Sequence, residues 1–395
     1  MSVTWFDPAV TLHVELGLGS GPLAASPSWT AVSSDVRRIK IGRGRSSVHQ
    51  TFDSGTATTT LDNLDGDYDP NNTSSPHSPN LKLGTPFRIR VVYLFTSYDL
   101  FRGHITGWPL NYPESGLDAV AVIEATENLS LLRTTRLDQT YSEESTRVRI
   151  GAILDDVSWP ASDRDLDNSL VRAAGITYTG DARTLLDDTV EAEQGHLFVA
   201  GNGDLTFKDR ISFSAATSQA TFGQGGGVLK YREITPLYDD DLLINFAGIT
   251  ASAGDQQIAS DSTSISDHGE RSYTSSNDSI VTANDALNVA EWVVGKNKDV
   301  TVRVTGFVIQ PQSDPTNLWP QVIERELTDL VTVKWDPPGA GDTLNQIVAI
   351  QSISHIITPA TWTTTYSCHP LSTFDTNDYW VLGTSDDLDT NTVLA

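Results

Sequence analysis

Five Asx side chains, Asp62, Asn63, Asp65, Asp67 and Asp69, crowd into the short segment LDNLDGDYDP. Carboxylate and amide oxygens at that density could surround a hard cation such as calcium, which takes about six to eight oxygen ligands. The spacing argues against a calcium loop. Gly66 is the sixth residue of an EF-hand loop only if Leu61 is the first, and a start at Asp65 puts Pro70 where glycine is required. The local alternative is that Asx side chains bond their own backbone two residues on and hold turns. We therefore expect an ordered polar loop, with no metal and no other cofactor.

Other reactive arrangements fail on similar grounds. GLGSG at Gly17–Gly21 lacks the Lys-Ser/Thr ending and the helix of a phosphate loop, and Pro22 follows it. Ser20 is also one place off register for a nucleophile elbow. Cys368 stands beside His369, but neighbours on a strand point to opposite faces, so a small core thiol is expected there. The eight histidines show no HExxH spacing. Carboxylate neighbours such as Glu143 with Glu144, Glu191 with Glu193, and Asp239 to Asp241 arise by chance among 51 acidic residues. Trp29, Trp108, Trp159, Trp292, Trp319, Trp335 and Trp362 are dispersed, as core anchors and interface plugs would be, not grouped as a sugar platform. The residues point to a protein that is not an enzyme.

Charge narrows the partners. The net charge is −25, and basic residues cluster in one place, Arg37, Arg38, Lys40, Arg43 and Arg45. Nucleic-acid binding needs a basic patch that neutralises phosphates. The alternation in RRIKIGRGR instead suggests a strand with its cations exposed, as a solvated face or a subunit contact. One cysteine excludes a disulfide within the chain. No apolar run approaches the length of about 18 residues that spans a membrane. MSVTWFDPAV has neither the basic nor the apolar region of a cleaved signal peptide.

The elements that would position these residues are mostly strands. Alternation predicts strands at Thr11–Leu16, Val36–Ile41, Thr56–Leu61, Phe87–Tyr93, Asp99–Trp108 and Ala119–Ala125, with a short helix at Asn128–Arg133. The middle third is helical: Arg147–Val157, a weaker helix at Arg164–Ala173, and Asp181–Gln194 with Asp181 as N-cap and Gly195 as stop. A hairpin about Gly201–Asp204 follows, and Gly223–Gly227 reads as a linker. The last third predicts a strand at Leu242–Thr250, an exposed hairpin or loop over Ala251–Ser279, and a helix at Asn284–Val294 ended by Gly295. Strands then follow at Val300–Ile309, Leu330–Trp335, Ile347–Ile357 and Thr361–Ser367. The trio beginning GTPFRIRVVY, FRGHITGW and Ala119–Ala125 matches in order the trio LTDLVTVKWD, IVAIQSISHII and Thr361–Ser367, a weak internal repeat.

Three passages, WTAVSSDVRRIKIGRGR, FDSGTATTTLDNLDGDYDPNNTSSP with LGTPFRIR, and LFRGHITGWPL, resemble the minor tail proteins of long-tailed phages of actinobacteria. DALNVAEWVVGK, LWPQVIERELTDLVTVKWDPPGAG and ISHIITPATWTTTYSCHP are similar to baseplate hub members of that family, also called tail-tip or tail-associated proteins. The resemblance implies a mainly β fold with an α+β insertion: a first tube-like β-barrel over 1–135, an α+β domain over 136–228, a second barrel with one helix over 229–372, and a tail over 373–395. It implies a homotrimeric hub at the tail tip of the virion, assembled in the host cytoplasm, whose six barrels close the tail tube. Implied partners are the distal tail ring, the tape-measure protein and fibre or central tip proteins, with DNA passing the lumen unbound. No peptidase, lysin or fibre domain is expected after the last strand. Arg43, Arg45, Asp65, Asp67, Asp69, Asn71 and Asn72 are the expected subunit-interface residues. A hexameric distal tail ring and a module binding host cell-wall carbohydrate are the alternatives.

Overall fold

A computed structural model describes residues 7–47, 50–115, 117–169, 171–210, 212, 216–251, 254–339 and 343–371. The 373–395 tail lies outside the described residues. Eight strands build the first third: β1 (Val10–Leu16), β2 (Thr30–Ala31), β3 (Val36–Gly44), β4 (Asp53–Asp62), β5 (Pro86–Tyr93), β6 (Thr96–Gly107), β7 (Leu110–Asn111) and β8 (Val120–Thr126). Every second residue of β4 and β5 is buried, the period-2 signature of a strand with one face on a core. A 3₁₀ turn over Asn128–Arg133 closes the region where a short helix was predicted.

The middle third holds β9 (Arg136–Tyr141), β10 (Glu144–Ser145), α1 (Thr146–Asp156), β11 (Arg164–Leu166), β12 (Arg172–Ala173), β13 (Ile176–Asp181), α2 (Ala182–Glu193), β14 (His196–Val199) and β15 (Leu205–Lys208). Asp181 caps α2 by accepting from the Thr184 N–H at 2.9 Å. Gln194, not Gly195, takes the left-handed position at its end (φ 56°). The predicted helix over Arg164–Ala173 is instead two strands. Asp, Asn and Ser in DRDLDNS compete with helical hydrogen bonds, while β11 finds a parallel partner in β15. A separate core forms here, with Ile150, Ile153, Leu154, Leu185, Leu186 and Phe207 fully buried.

The last third comprises β16 (Thr221–Phe222), β17 (Glu233–Leu237), β18 (Phe246–Ala251), β19 (Gln257–Ser260), α3 (Ser262–His268), β20 (Ser272–Asn277), α4 (Ala283–Asn297), β21 (Arg303–Ile309), α5 (Pro315–Ile323), β22 (Leu330–Trp335), β23 (Leu344–Ile357) and β24 (Trp362–Pro370). The polar stretch expected as a hairpin or loop contains α3 and β20. α3 lacks an apolar stripe and is held by its Asp261 cap and by Ser264 Oγ donating to the Lys298 carbonyl. α4 runs past Gly295, with a Thr282–Asp285 capping box at its start. α5 lies in a stretch to which the sequence reading assigned no element, and it contains Pro320, which removes one backbone donor. It forms because Leu318, Trp319, Val322 and Ile323 bury one face.

Fourteen strands join into one open sheet ordered β17-β21-β24-β23-β3-β4-β8-β6-β5-β1-β2, with β16, β22 and β7 paired at its sides. Among the described residues no ladder closes either half into a barrel. The internal repeat is present at the level of register. In chain order, β3, β4, β5, β6, β8 and β17, β21, β22, β23, β24 make the same four antiparallel ladders, first to second, second to fifth, fifth to fourth and fourth to third. Ile105 pairs with Ala125 and, after a bulge, Gly107 with Glu124; Ile350 pairs with Cys368 and, after a bulge, Ser352 with Ser367. Gly84 donates to Ile105 and Ile105 to Thr85, just as Thr328 donates to Ile350 and Ile350 to Asp329. Gly84 and Thr328 even share a positive φ, 79° and 73°. The two units meet where β3 pairs with the second half of β23, Gly44 opposite Ser352 through Ile39 opposite Ile357.

Candidate functional site

The Asx loop follows β4 and is ordered by its own side chains. Asn63 Oδ1 accepts from the Tyr68 N–H at 2.9 Å, Asp69 Oδ1 from Asn71 N at 2.8 Å, and Asn72 Oδ1 from Ser74 N at 3.0 Å. Asn72 Nδ2 donates to the Gly66 carbonyl and Ser75 Oγ to that of Asp67. Two phenols tie the loop to the sheet: Tyr68 donates to Asp35, and Tyr112 donates to Asp69 Oδ2 at 3.1 Å. Burial and these carboxylates raise the pKa of both tyrosines. Asn63, Asp69 and Asn72 thus hold the loop's own backbone, as the Asx-turn reading expects. Asp65, Asn71 and the neighbouring Pro70 are exposed, while Asp67, Asp69 and Asn72 are half-buried.

The basic strand departs from expectation. Arg38 and Lys40 are exposed and Arg37 is half-buried beside Asp62, but Arg43 and Arg45 point inward and are buried. Arg43 Nε meets Glu127 Oε1 at 2.9 Å, and its Nη2 meets Glu326 Oε1 and the Val199 carbonyl, each at 2.7 Å. Glu127 also accepts from Gly55 N, and Glu326 from Gly201 N. One guanidinium therefore fastens the first five-strand unit, the α+β middle and the second unit at a single point. Burial opposes the charge of Arg43, but Glu326 and Glu127 outweigh it and raise its pKa. Burial pushes Glu127 up to about 7, more than Arg43 and the Gly55 N–H return. Arg45 lies over the Phe52 ring at 4.4 Å, donates to Gln351 Oε1 and the Gln50 carbonyl, and is lowered by burial to about 9. Arg43 and Arg45 share the parity of the buried Ile39 and Ile41, so alternation itself carries them to the core face, while Arg38 and Lys40 fall on the other.

Where the first unit, α2, β20 and α4 meet lies a cavity of about 360 Å³. Phe52, Val190 and Trp292 line one part of it and Asp187, Asp188 and Glu191 another. Glu191 accepts from Tyr273, Ser275 and Asn277. Burial, then Glu191 and Asp187, push Asp188 up to about 6. Sequence reasoning missed this cavity because its walls come from elements far apart in the chain. Among the described residues no group of three or more His, Cys, Asp or Glu is arranged to hold a metal ion, and no helix is long and apolar enough to cross a membrane.

The connection from second to third strand differs between the units. In the first it is the Asx loop; in the second it is α5 and its flanks. α5 packs against β6 of the first unit, where Tyr98 donates to Glu324 Oε1 at 3.2 Å, and Trp319 Nε1 reaches Asp7. That connection therefore bridges to the adjoining unit.

No family model matches the chain, and no curated protein is similar to it in sequence. Solved structures are similar in fold. The tail protein from Neisseria meningitidis MC58 superposes with a TM-score of 0.62 at 10% identity, covering 92% of this chain and 99% of that one. The 43 kDa tail protein of prophage MuSo2 from Shewanella oneidensis gives a TM-score of 0.58 at 14% identity, covering 92% of this chain and 100% of that one. Nearly the whole chain therefore has the fold of these two tail proteins.

Proposed function

We propose that the protein is a structural, non-enzymatic component of a phage tail tip: a homotrimeric baseplate hub that closes the tail tube and opens for tape measure and DNA. The observation that carries this reading is the register-level duplication within one chain. Two like units per chain allow three chains to present six similar units, matching a six-fold tube. Each unit is read as one tube-like domain, over 1–135 and 229–372, with 136–228 as the α+β insertion. The shared fold with tail proteins supports the setting. The distal ring, the tape measure and fibre or tip proteins are the partners this role requires, and an acidic surface would repel DNA phosphates in passage.

The Asx loop is the proposed subunit contact, through Asp65, Asp67, Asp69, Asn71 and Asn72. Its counterpart α5 already touches the adjoining unit within the chain. By the same geometry the loop reaches the start of β23 on a neighbouring copy, where Ile347 is exposed. Arg43 and Arg45 are spent inside the chain and leave this surface to the loop. Native mass measurement of the assembled tail tip decides the copy number. Three copies support the hub, six support a distal ring, and one with binding to cell-wall polysaccharide supports a carbohydrate module, for which the cavity beside Trp292 and Tyr273 is the place to look.

A further inference from the structure

We infer that the outer edge of β17 pairs with the outer edge of residues 107–112 on a second copy of this chain, in a register set by the junction inside the chain. The inference rests on the hub reading and names the strands that would join its copies. Matched ladders in the two units carry it. Lys40 pairs with Thr58 and Thr58 with Glu124, while Thr235 pairs with Gly306 and Gly306 with Ser367. Because Glu124 and Ser367 are equivalent, Thr235 is the counterpart of Lys40, Ile234 of Ile39, and Glu233 of Arg38. On the other side, Leu110 pairs with Ala121 and Asn111 with Val120, as His355 pairs with Thr364 and Ile356 with Thr363. Asn111 is thus the counterpart of Ile356, and β6 with β7 is the counterpart of β23.

Within the chain, β3 lies on this part of β23, Lys40 opposite Ile356 and Ile39 opposite Ile357. The corresponding strand of the second unit, β17, has β21 on one edge and no ladder on the other among the described residues. The corresponding part of the first unit, 107–112, has β8 on one edge and likewise no ladder on the other. One chain therefore carries both halves of a junction that it makes once internally, and the two free halves lie at different places on the sheet. Unpaired edges are templates for another strand. Joining them head to tail is a heterologous contact, which builds a closed ring when the rotation permits.

Local details fit. Glu233 and Thr235 are exposed, as are Asn111 and Tyr112. The Pro109 carbonyl accepts from Val122 on β8, so its missing N–H does not face the open edge. Pro236 cannot donate, which confines the new pairing to Glu233–Thr235. The predicted register sets Thr235 opposite Asn111 and Ile234 opposite Tyr112 of the second copy.

The test is a cysteine pair read by mass. Thr235→Cys with Asn111→Cys in one chain, oxidised mildly, is expected to give covalent multimers on a non-reducing gel, ending in a closed three-chain species. Lys40→Cys with Ile356→Cys is the internal control and should form its disulfide without any change in mass. Each single variant should give no multimer, since Cys368 is buried. If native mass shows three copies but the pair gives no more crosslink than the single variants, the edge pairing is wrong and the hub stands. A chain that neither assembles nor crosslinks at any concentration overturns both.

Discussion

Arg43→Met should be among the most damaging single changes available outside the apolar core. Methionine keeps the side-chain stem but removes the guanidinium that faces Glu127, Glu326 and the Val199 carbonyl. The side chains of Arg43 and Glu127 are only 4% and 2% exposed, so neither water nor salt can replace the lost partner. Breaking a buried pair by removing one ion costs about 3–5 kcal/mol. Arg37 and Asp62, 34% and 40% exposed, make an equally short contact of 2.7 Å. There Arg37→Met should cost no more than about 1 kcal/mol. Urea unfolding followed by tryptophan fluorescence measures both. Arg43 joins three parts of the chain, so its loss should also lower the slope of the transition as the parts unfold separately. Burial already holds the Glu127 pKa near 7, above its unfolded value of 4.5. The penalty should therefore grow as the pH rises above 7, where Glu127 ionises beside Arg43 but resists ionising without it, and be smallest below pH 7, where Glu127 is neutral in both folded proteins. Arg43→Met with Glu127→Gln should recover a substantial part of the loss. A cost for Arg43→Met no larger than for Arg37→Met, or a double variant equal to the sum of its singles, would refute the clamp.

Other perturbations have equally definite signs. His355, fully buried against Trp362 and near Arg43, is lowered to about 3 from 6.5, so it is neutral in the folded protein. Its contribution is complete above pH 6.5 and lost as the pH falls toward 3, up to about 4 kcal/mol, and His355→Gln should flatten that acid limb in a pH series of unfolding curves. Asp188, half-buried among Glu191 and Asp187, is raised to about 6. Asp188→Asn should add about 1 kcal/mol at pH 7–8 after allowance for solvent screening, with the gain fading below pH 6 and absent near pH 4. The Leu94–Phe95 turn holds both residues at positive φ, 47° and 70°, with Phe95 fully exposed; replacing the pair by Asn-Gly should stabilise the protein by about 1 kcal/mol, read as a higher Tm. Burial pushes the Cys368 thiol well above its ordinary pKa, so a thiol reagent should titrate it only after urea has unfolded the chain.

Much of the strand framework was readable because its cause is local. In β4 and β5 one face is buried and the next is not, so alternation marks them in the sequence. α2 announced itself through Asp181 and a stripe of Leu185, Leu186 and Val190. The order of the repeat was visible too, since strand order along the chain is a property of sequence. The loop's turns were legible because an Asx side chain reaches only its own neighbourhood.

What the sequence could not decide was whatever depends on a distant partner. DRDLDNS becomes strand because β15 offers it a parallel edge, and the proline-containing α5 forms because it buries Trp319 against Trp362, 5.2 Å away. The fate of Arg43 depends on Glu127 and Glu326, 84 and 283 residues along the chain. Alternation puts Arg43 on the face of Ile39 and Ile41, but only the folded chain brings up the carboxylates that make a buried cation stable there. Sequence alone determined which residues alternate and which turn. Tertiary structure decided which cations are buried, how the two units share a register and which sheet edges stay open, because burial and pairing energies belong to surfaces that exist only once the chain has folded.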